Sequence, residues 1–441
     1  MQVGHKSTVF IQLNEINFDV VKHYADLGYD LSALVKIHDN RFITVENEEY
    51  NNLEPWIQWF TTYCGKPYSQ HKIFRLGEGH NSTEKTLFSA LKSAGLGIGA
   101  VAPMNLSRET AKFDFFLPDP WSKQRPLGDI WLRFVSDAVR QAVNDNSGKG
   151  ISKINKVKLL FGLARHLNLF DFTELLKFYQ TIKGRSFRKA LFLDMVLVKL
   201  HQSLHNKYKV DFSSVFLNAG AHIQHHYFLN SSFSHNLTAV RNPQWYMSSD
   251  TDPLLESLIF YDAIIKEYES KDYQVILATG LQQQPYLKET YYYRLADHKR
   301  FLSTIGISNE IVNPRMTRDF EVVTQLAIDC DLAIEKLRKI TDESKKLVFG
   351  QIEKTSATTL FCTLTYDQEI REDQLFYFEG NSFKLHDFVN FVAVKNGMHD
   401  KFGTLYFSDP EYWQIEDCIV ELQDVNKMIV DYAISKRSLK K

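Results

Sequence analysis

The feature that most limits what this chain can become is a set of short, nearly apolar runs that stop at polar segments. Thr8-Val9-Phe10-Ile11-Gln12-Leu13, Gly99-Ala100-Val101-Ala102, Val215-Phe216-Leu217 and Gln274-Val275-Ile276-Leu277-Ala278 read as buried strands, with helical patterns between them. Strands covered on both faces by helices imply an α/β fold with a central, mostly parallel sheet. Such sheets keep their ligands beyond the carboxyl ends of the strands. After the third run comes Asn218-Ala219-Gly220-Ala221-His222-Ile223-Gln224-His225-His226-Tyr227, with three histidines inside five residues. His222 and His226, four apart, share a face if the segment turns helical, and His225 then points elsewhere.

The 441 residues can fill one large domain with insertions, or two domains. Charge is balanced, 52 basic against 53 acidic residues, so composition gives no sign of nucleic acid or an anionic membrane as partner. The four cysteines form no CxxC pair, which argues against a cysteine zinc site and suits a reducing compartment. The start has no signal-peptide pattern, and no window holds the ~18 apolar residues of a membrane span. The expectation is a soluble, cytoplasmic protein with a small-molecule or glycan substrate.

In chain order, the first strand ends at Asn14-Glu15-Ile16-Asn17, and a helix follows from about Phe18 to Leu27. Asn17 reads equally as its N-cap. A second strand is expected from Arg41 to Val45. Pro55 at a first helical turn, Glu54 before it and Gly65 as C-cap define a short helix carrying Trp56, Gln58 and Trp59. Its positive end can hold an anion or a nucleophile. A helix with a capping box at Ser82 is expected up to Ala94, and Phe115 to Pro120 reads as irregular. From about Ile130 to Tyr208 only helical spacing appears, which defines a helical insertion broken across Asn144 to Gly150. Leu254 to Tyr268 is a further helix. Thr279 to Pro285, with Gln282 and Gln283, reads as the loop ending the fourth strand. An irregular subdomain is expected over about 286–370, with the charged run Asn313 to Asp319 (Arg315 and Arg318 within it) and a helix near Val322 to Ile340.

The order of these segments resembles the alkaline phosphatase superfamily, especially its phosphodiesterase and nucleotide pyrophosphatase branch. Leu13-Asn14-Glu15-Ile16-Asn17-Phe18-Asp19 looks like that branch's opening turn, and Glu54 to Gly65 with His71-Lys72-Ile73 like its nucleophile helix. Ala221 to His225 resembles the Asp-x-x-x-His motif, Ala278-Thr279-Gly280-Leu281 stands where Ser-Asp-His-Gly belongs, and Gly397-Met398-His399 with Gly403 resembles the last Gly-x-His element. The resemblance implies a core of 1–129 and 209–441 with 130–208 as the variable cap. In that family three aspartates, three histidines and a Ser or Thr nucleophile serve two metals. Here Asn14, Ala221 and Thr279 replace the aspartates and Gly280 one histidine, while Glu54, Pro55 and Trp56 stand near the nucleophile position. His225 and His399 match ligands of one metal.

Three readings follow. In the first, no cofactor is needed: Glu15, Glu54, His225 and His399 perform acid–base chemistry on a glycan or sugar-phosphate, as a transferase or hydrolase. Asn14, Asn17, Trp56, Gln58, His222, Gln282 and Gln283 then bind substrate, with Arg315 and Arg318 on its phosphate. In the second, the chain is a pseudoenzyme that binds a ligand or protein partner with the old cleft. In the third, it is a one-metal phosphodiesterase in which His225 and His399 gain Glu15 or His222 as third ligand.

Overall fold

The computed structural model describes residues 6–144, 152–315, 318–413 and 418–438. Eight strands form the large sheet: β1 (Thr8–Leu13), β2 (Phe42–Val45), β3 (Ile98–Val101), β4 (Phe115–Leu117), β5 (Phe212–Leu217), β6 (Gln274–Ala278), β7 (Phe402–Phe407) and β8 (Ile419–Glu421). Their spatial order is β8-β2-β7-β6-β1-β5-β3-β4. Only β7 runs antiparallel, between β2 and β6. Every residue of β1, β3 and β5 is buried, which is why these runs lack the alternation of a half-solvated sheet.

The register puts three carboxyl ends side by side. Leu13 pairs with Leu217 on β5, and Gln12 pairs with Ala278 on β6. The ladder runs on past the strands, since the Asn14 amide donates to the Leu217 carbonyl at 3.0 Å and that of Glu15 to the Thr279 carbonyl at 3.1 Å. The polar segments after β1, β5 and β6 therefore meet at one edge.

The expected helices occur at Phe18–Asp26, Pro55–Cys64 and Pro253–Ser270. Glu54 is the N-cap of the second, Pro55 its first residue, and Gly65 ends it at φ 67°. The 130–208 stretch is helical at Trp131–Asn144, Lys153–His166, Leu169–Gln180 and Arg188–Tyr208. The break expected across Asn144 to Gly150 falls, beyond Asn144 itself, outside the described residues.

Several elements differ from expectation. The histidine segment, open between loop and helix in the sequence, is a helix, Ala219–Tyr227. Phe115–Leu117 is the edge strand β4, a place where a following proline is tolerated. Capping after Gly77 falls on Thr86, whose hydroxyl accepts from the Ser89 amide ahead of the helix Leu87–Ser93, not on Ser82. Gln282–Pro285 is a strand paired with Gly397–Asp400; its polar sequence has no apolar period to announce it. The helix expected over about Val322 to Ile340 is present as Ala327–Leu337 but starts later, because Val322 and Val323 end a strand, Asp319–Val323.

Two compact units emerge. The first comprises residues 1–237, 249–285 and 397–441, and so keeps the 130–208 helices with the large sheet. The second comprises Thr238–Ser248 and Tyr286–Asn396, ending later than the expected 370. It holds a four-stranded antiparallel sheet in the order Gln351–Ser356, Thr359–Thr363, Asp319–Val323, Ile311–Pro314. Phe301, Phe320, Phe349, Leu360 and Cys362 lie at the centre of its own apolar core.

Candidate metal centre

The site begins with a backbone oddity. Glu15 sits at φ 60°, the left-handed region that side chains with a Cβ seldom adopt. Its carboxylate is buried all the same, at 1% exposure. Neighbours hold it there. The Asn14 amide donates to Glu15 Oε1 at 2.9 Å and to Asn218 Oδ1 at 2.8 Å, while Trp59 Nε1 donates to Asn14 Oδ1 at 2.7 Å. The Gln283 side-chain amide donates to Glu15 Oε2 and, at 3.1 Å, to the Ala221 carbonyl. Gln224 Nε2 donates to the Glu15 carbonyl at 2.8 Å, and Gln224 Oε1 accepts from the Asn17 amide at 3.3 Å.

Two imidazoles close on this carboxylate. His225 Nε2 is 3.1 Å from Glu15 Oε2, His399 Nε2 is 3.3 Å from the same oxygen, and the two nitrogens are 3.3 Å apart. His225 arrives from the helix Ala219–Tyr227, whose N-terminus is fixed by Asp194: the Asn218 and Ala219 amides donate to it at 3.1 and 2.9 Å. His399 arrives from the strand Gly397–Asp400, paired antiparallel with Gln282–Pro285. Its Nδ1 donates to the Leu53 carbonyl at 2.5 Å, with Glu54 Oε2 at 3.8 Å.

Charge in the cluster is strongly coupled. Burial alone would favour the neutral Glu15 acid, but the charges and hydrogen bonds of His399 and His225 outweigh it and hold the carboxyl far below its usual range. For His399, burial favours the neutral ring. The Glu15 carboxylate overcomes this, aided by Glu54 and the Leu53 carbonyl, and raises the imidazole to about 9.

The donor set suits one divalent ion. Three ligands at ~2.0–2.1 Å in tetrahedral array stand about 3.3 Å apart, which is the triangle that one oxygen and two nitrogens already form. These are also the residues whose ligand atoms converge as a possible ion-holding group among the described residues. The Nδ1–H bond to a backbone carbonyl, the usual outer support of a ligating histidine, aims His399 Nε2 into the triangle, where loss of its proton would leave a lone pair for an ion. The His225 side chain is 38% exposed and Glu15 2%, so the triangle opens toward His225 and leaves a coordination position accessible. At the positions that the resemblance gives to a second ion, donors are missing or engaged. Ala221 brings no donor, and Thr279 Oγ1 accepts from the Thr404 amide at 2.9 Å. Gly280, at φ 73°, has the fully buried Trp59 ring 3.0 Å from where a Cβ would stand.

Other sequence candidates fall around this centre. Asn14 and Gln283 position Glu15 directly. Asn17 caps its helix through the Asp19 amide and donates to the Gln283 carbonyl at 2.8 Å. Gln58 is buried and donates to the Asn52 carbonyl at 2.9 Å. Trp56 donates to the Phe74 carbonyl at 2.8 Å. Gln282 donates to Asp400 at 3.1 Å. His222 is not the third ligand: its ring lies 4.4 Å from that of His226, on another face of the helix from His225. Arg315 and Arg318 lie in the second unit, where Arg315 pairs with Glu321 and Arg318 covers the Tyr292 ring. Sequence reasoning missed Leu53, which acts through its carbonyl, and Asp194 and Gln224, for which the only signal was a polar residue in an apolar helical pattern.

The chain matches no known family model and no curated protein. Its path is similar to those of several solved structures. Phosphonoacetate hydrolase from Sinorhizobium meliloti 1021 is 10% identical, with 98% of this chain and 96% of that one covered and a TM-score of 0.39. The alkaline phosphatase PafA is also 10% identical, with the same coverage and a TM-score of 0.43. Murine ectonucleotide pyrophosphatase/phosphodiesterase 5 is 8% identical, with 97% and 95% covered and a TM-score of 0.38.

Proposed function

We propose that the chain is a one-metal hydrolase of phosphoesters, with Glu15, His225 and His399 holding a single zinc ion. The observation that carries this is the near-equilateral triangle of one carboxylate oxygen and two imidazole nitrogens. The substrate class rests on the order of the sequence motifs around Asn14, Glu54, His225 and His399. An ion in the triangle would supply Lewis acidity and lower the pKa of a water bound at the open position.

The protein's own groups have separate tasks. Glu15 stays ionised at every working pH and neutralises one positive charge in the centre. Asn14 and Gln283 fix its rotamer, and the Leu53 carbonyl fixes the His399 tautomer. Glu54, about a third exposed at the N-cap of its helix, is the carboxylate available to take a proton from an attacking water. The proton passes from water to Glu54 as the new P–O bond forms and the ester oxygen departs.

Metal analysis of protein purified without chelator tests this, paired with turnover of bis(p-nitrophenyl) phosphate. One zinc per chain and turnover lost in Glu54→Gln but not in His222→Ala are expected. Iron in place of zinc, or no metal at all, would overturn the reading. A metal-free outcome with turnover of a sugar-phosphate would favour the acid–base alternative, in which His399, held protonated to about pH 9 by Glu15, is the general acid.

A further inference from the structure

The balanced total charge conceals a segregated surface on the helices Lys153–His166 and Leu169–Gln180. On the first, Ile154 is 71% exposed, Val157 50%, Leu160 49% and Phe161 61%; the second opens with Leu169 at 80% and Phe170 at 69%. At 3.6 residues per turn, Ile154, Val157, Leu160 and Phe161 form one stripe, opposite the buried Gly162, Leu163 and His166. Isolated exposed apolar residues are ordinary, but a run of large ones at these exposures marks an interaction surface.

Charge decides which surface. The Lys153–His166 helix has no acidic residue, and Lys153, Lys156, Lys158 and Arg165 lie along the two rims of the apolar stripe. Lys158 reaches Asp137 at 3.9 Å. Among the described residues no carboxylate pairs with Lys153, Lys156 or Arg165. The acids of the second helix, Asp171 and Glu174, are turned inward onto Lys199 at 3.3 and 2.8 Å. Such a helix, apolar on its outer face and basic along its rims, is built to lie in the plane of a bilayer interface. A second copy of the chain fits poorly, because a two-fold contact through this face would bring each set of cations against its twin. None of the described helices is long and apolar enough to cross a membrane, so the contact is peripheral.

We propose that the outer face of these two helices docks the protein on an anionic lipid surface, with Ile154, Phe161, Leu169 and Phe170 entering the head-group layer and Lys153, Lys156 and Arg165 meeting lipid phosphates. The test is co-sedimentation of the full chain with phosphatidylcholine vesicles, with and without phosphatidylserine. Binding to the anionic vesicles at least ~10-fold stronger than to the neutral ones, weakening with added salt, is expected. The double variant Ile154→Asp/Phe161→Asp should lose it. Lys153→Gln with Lys156→Gln, which leaves every apolar contact in place, should weaken it by roughly fivefold per removed cation. Circular dichroism checks that both variants keep their helices. Equal binding to neutral vesicles would overturn the proposal. So would absence of vesicle binding, whether the chain is then monomeric or forms a dimer that Ile154→Asp/Phe161→Asp dissolves, or captures a protein partner through this face.

Discussion

Glu15→Gln keeps the shape of the side chain and removes its charge, which makes it the sharpest single test of the centre. Zinc affinity, read by calorimetric titration, should fall more than ~100-fold, beyond what loss of an outer-sphere partner produces. Proton linkage gives a second signature. In the metal-free fold His399 keeps its proton up to about pH 9, whereas an unfolded histidine loses it near 6.5. That contribution to stability is therefore complete below 6.5 and fades as pH rises through 9. Glu15 behaves oppositely: its depressed value stabilises the fold above about 4.5 and is lost only in strong acid. From about pH 6.5 to 9, above the range in which the buried histidines with depressed values take up protons, chelator-treated protein should melt progressively lower. Zinc must displace the His399 proton, so its affinity should rise about tenfold per pH unit across that alkaline range. An affinity flat from pH 7 to 9 would show that His399 is not a ligand. At this scale the sequence was informative where function needs a side chain. Glu15 and His225 could be singled out because polar residues after buried strands are conspicuous, and His399 because Gly397-Met398-His399 resembles a Gly-x-His element. Leu53 could not, because a carbonyl is the same in every residue, and no spacing rule tells that Glu15 turns inward at a positive φ.

The helix Ala219–Tyr227 positions His225 only while its N-terminal end is anchored. Asp194 takes the Asn218 and Ala219 amides and the Tyr261 hydroxyl, the last at 2.7 Å. Asp194→Ala would strand all three buried donors at a cost of ~2–5 kcal/mol, visible as a lower denaturation midpoint. Gly220 allows the helix to sit close to the first turn, since a Cβ there would stand 2.3 Å from Ile16 Cδ1 and 3.0 Å from the Tyr261 ring. Gly220→Ala should cost ~1–3 kcal/mol and weaken zinc binding, because His225 would move off Glu15. Weakened stability with unchanged zinc affinity would show that the helix relaxes elsewhere. Elements that are nearly continuous apolar runs, β1, β5 and β6, could be read from the chain. The antiparallel pair Gln282–Pro285 with Gly397–Asp400 could not, because long-range backbone pairing and not side-chain burial creates it. The same blindness affected the Ala219–Tyr227 segment, whose alanines, glycine and histidines carry little periodic signal.

The two units have separate apolar cores, and melting should report both. Phe320→Ala, in the second core, should cost ~3–5 kcal/mol and lower one calorimetric transition. Zinc at a hundredfold excess over its dissociation constant should raise the other by ~2.7 kcal/mol of stability. A single transition that responds to both would mean that the units unfold together. The sequence suggested a subdomain near residue 286 but not its end, since the chain leaves the second unit at Asn396 within a run of ordinary strand residues. The path of the chain has its own consequence during synthesis. β7 lies between β2 and β6, so a polypeptide emerging from the ribosome makes both neighbours, at Phe42–Val45 and Gln274–Ala278, well before the piece that joins them, Phe402–Phe407. Until then two naked strand edges wait, with Glu15 and His225 lacking their third companion, and a prematurely stopped chain would be both sticky and unable to retain metal. Acquisition of the ion would thus double as a certificate that translation had passed His399.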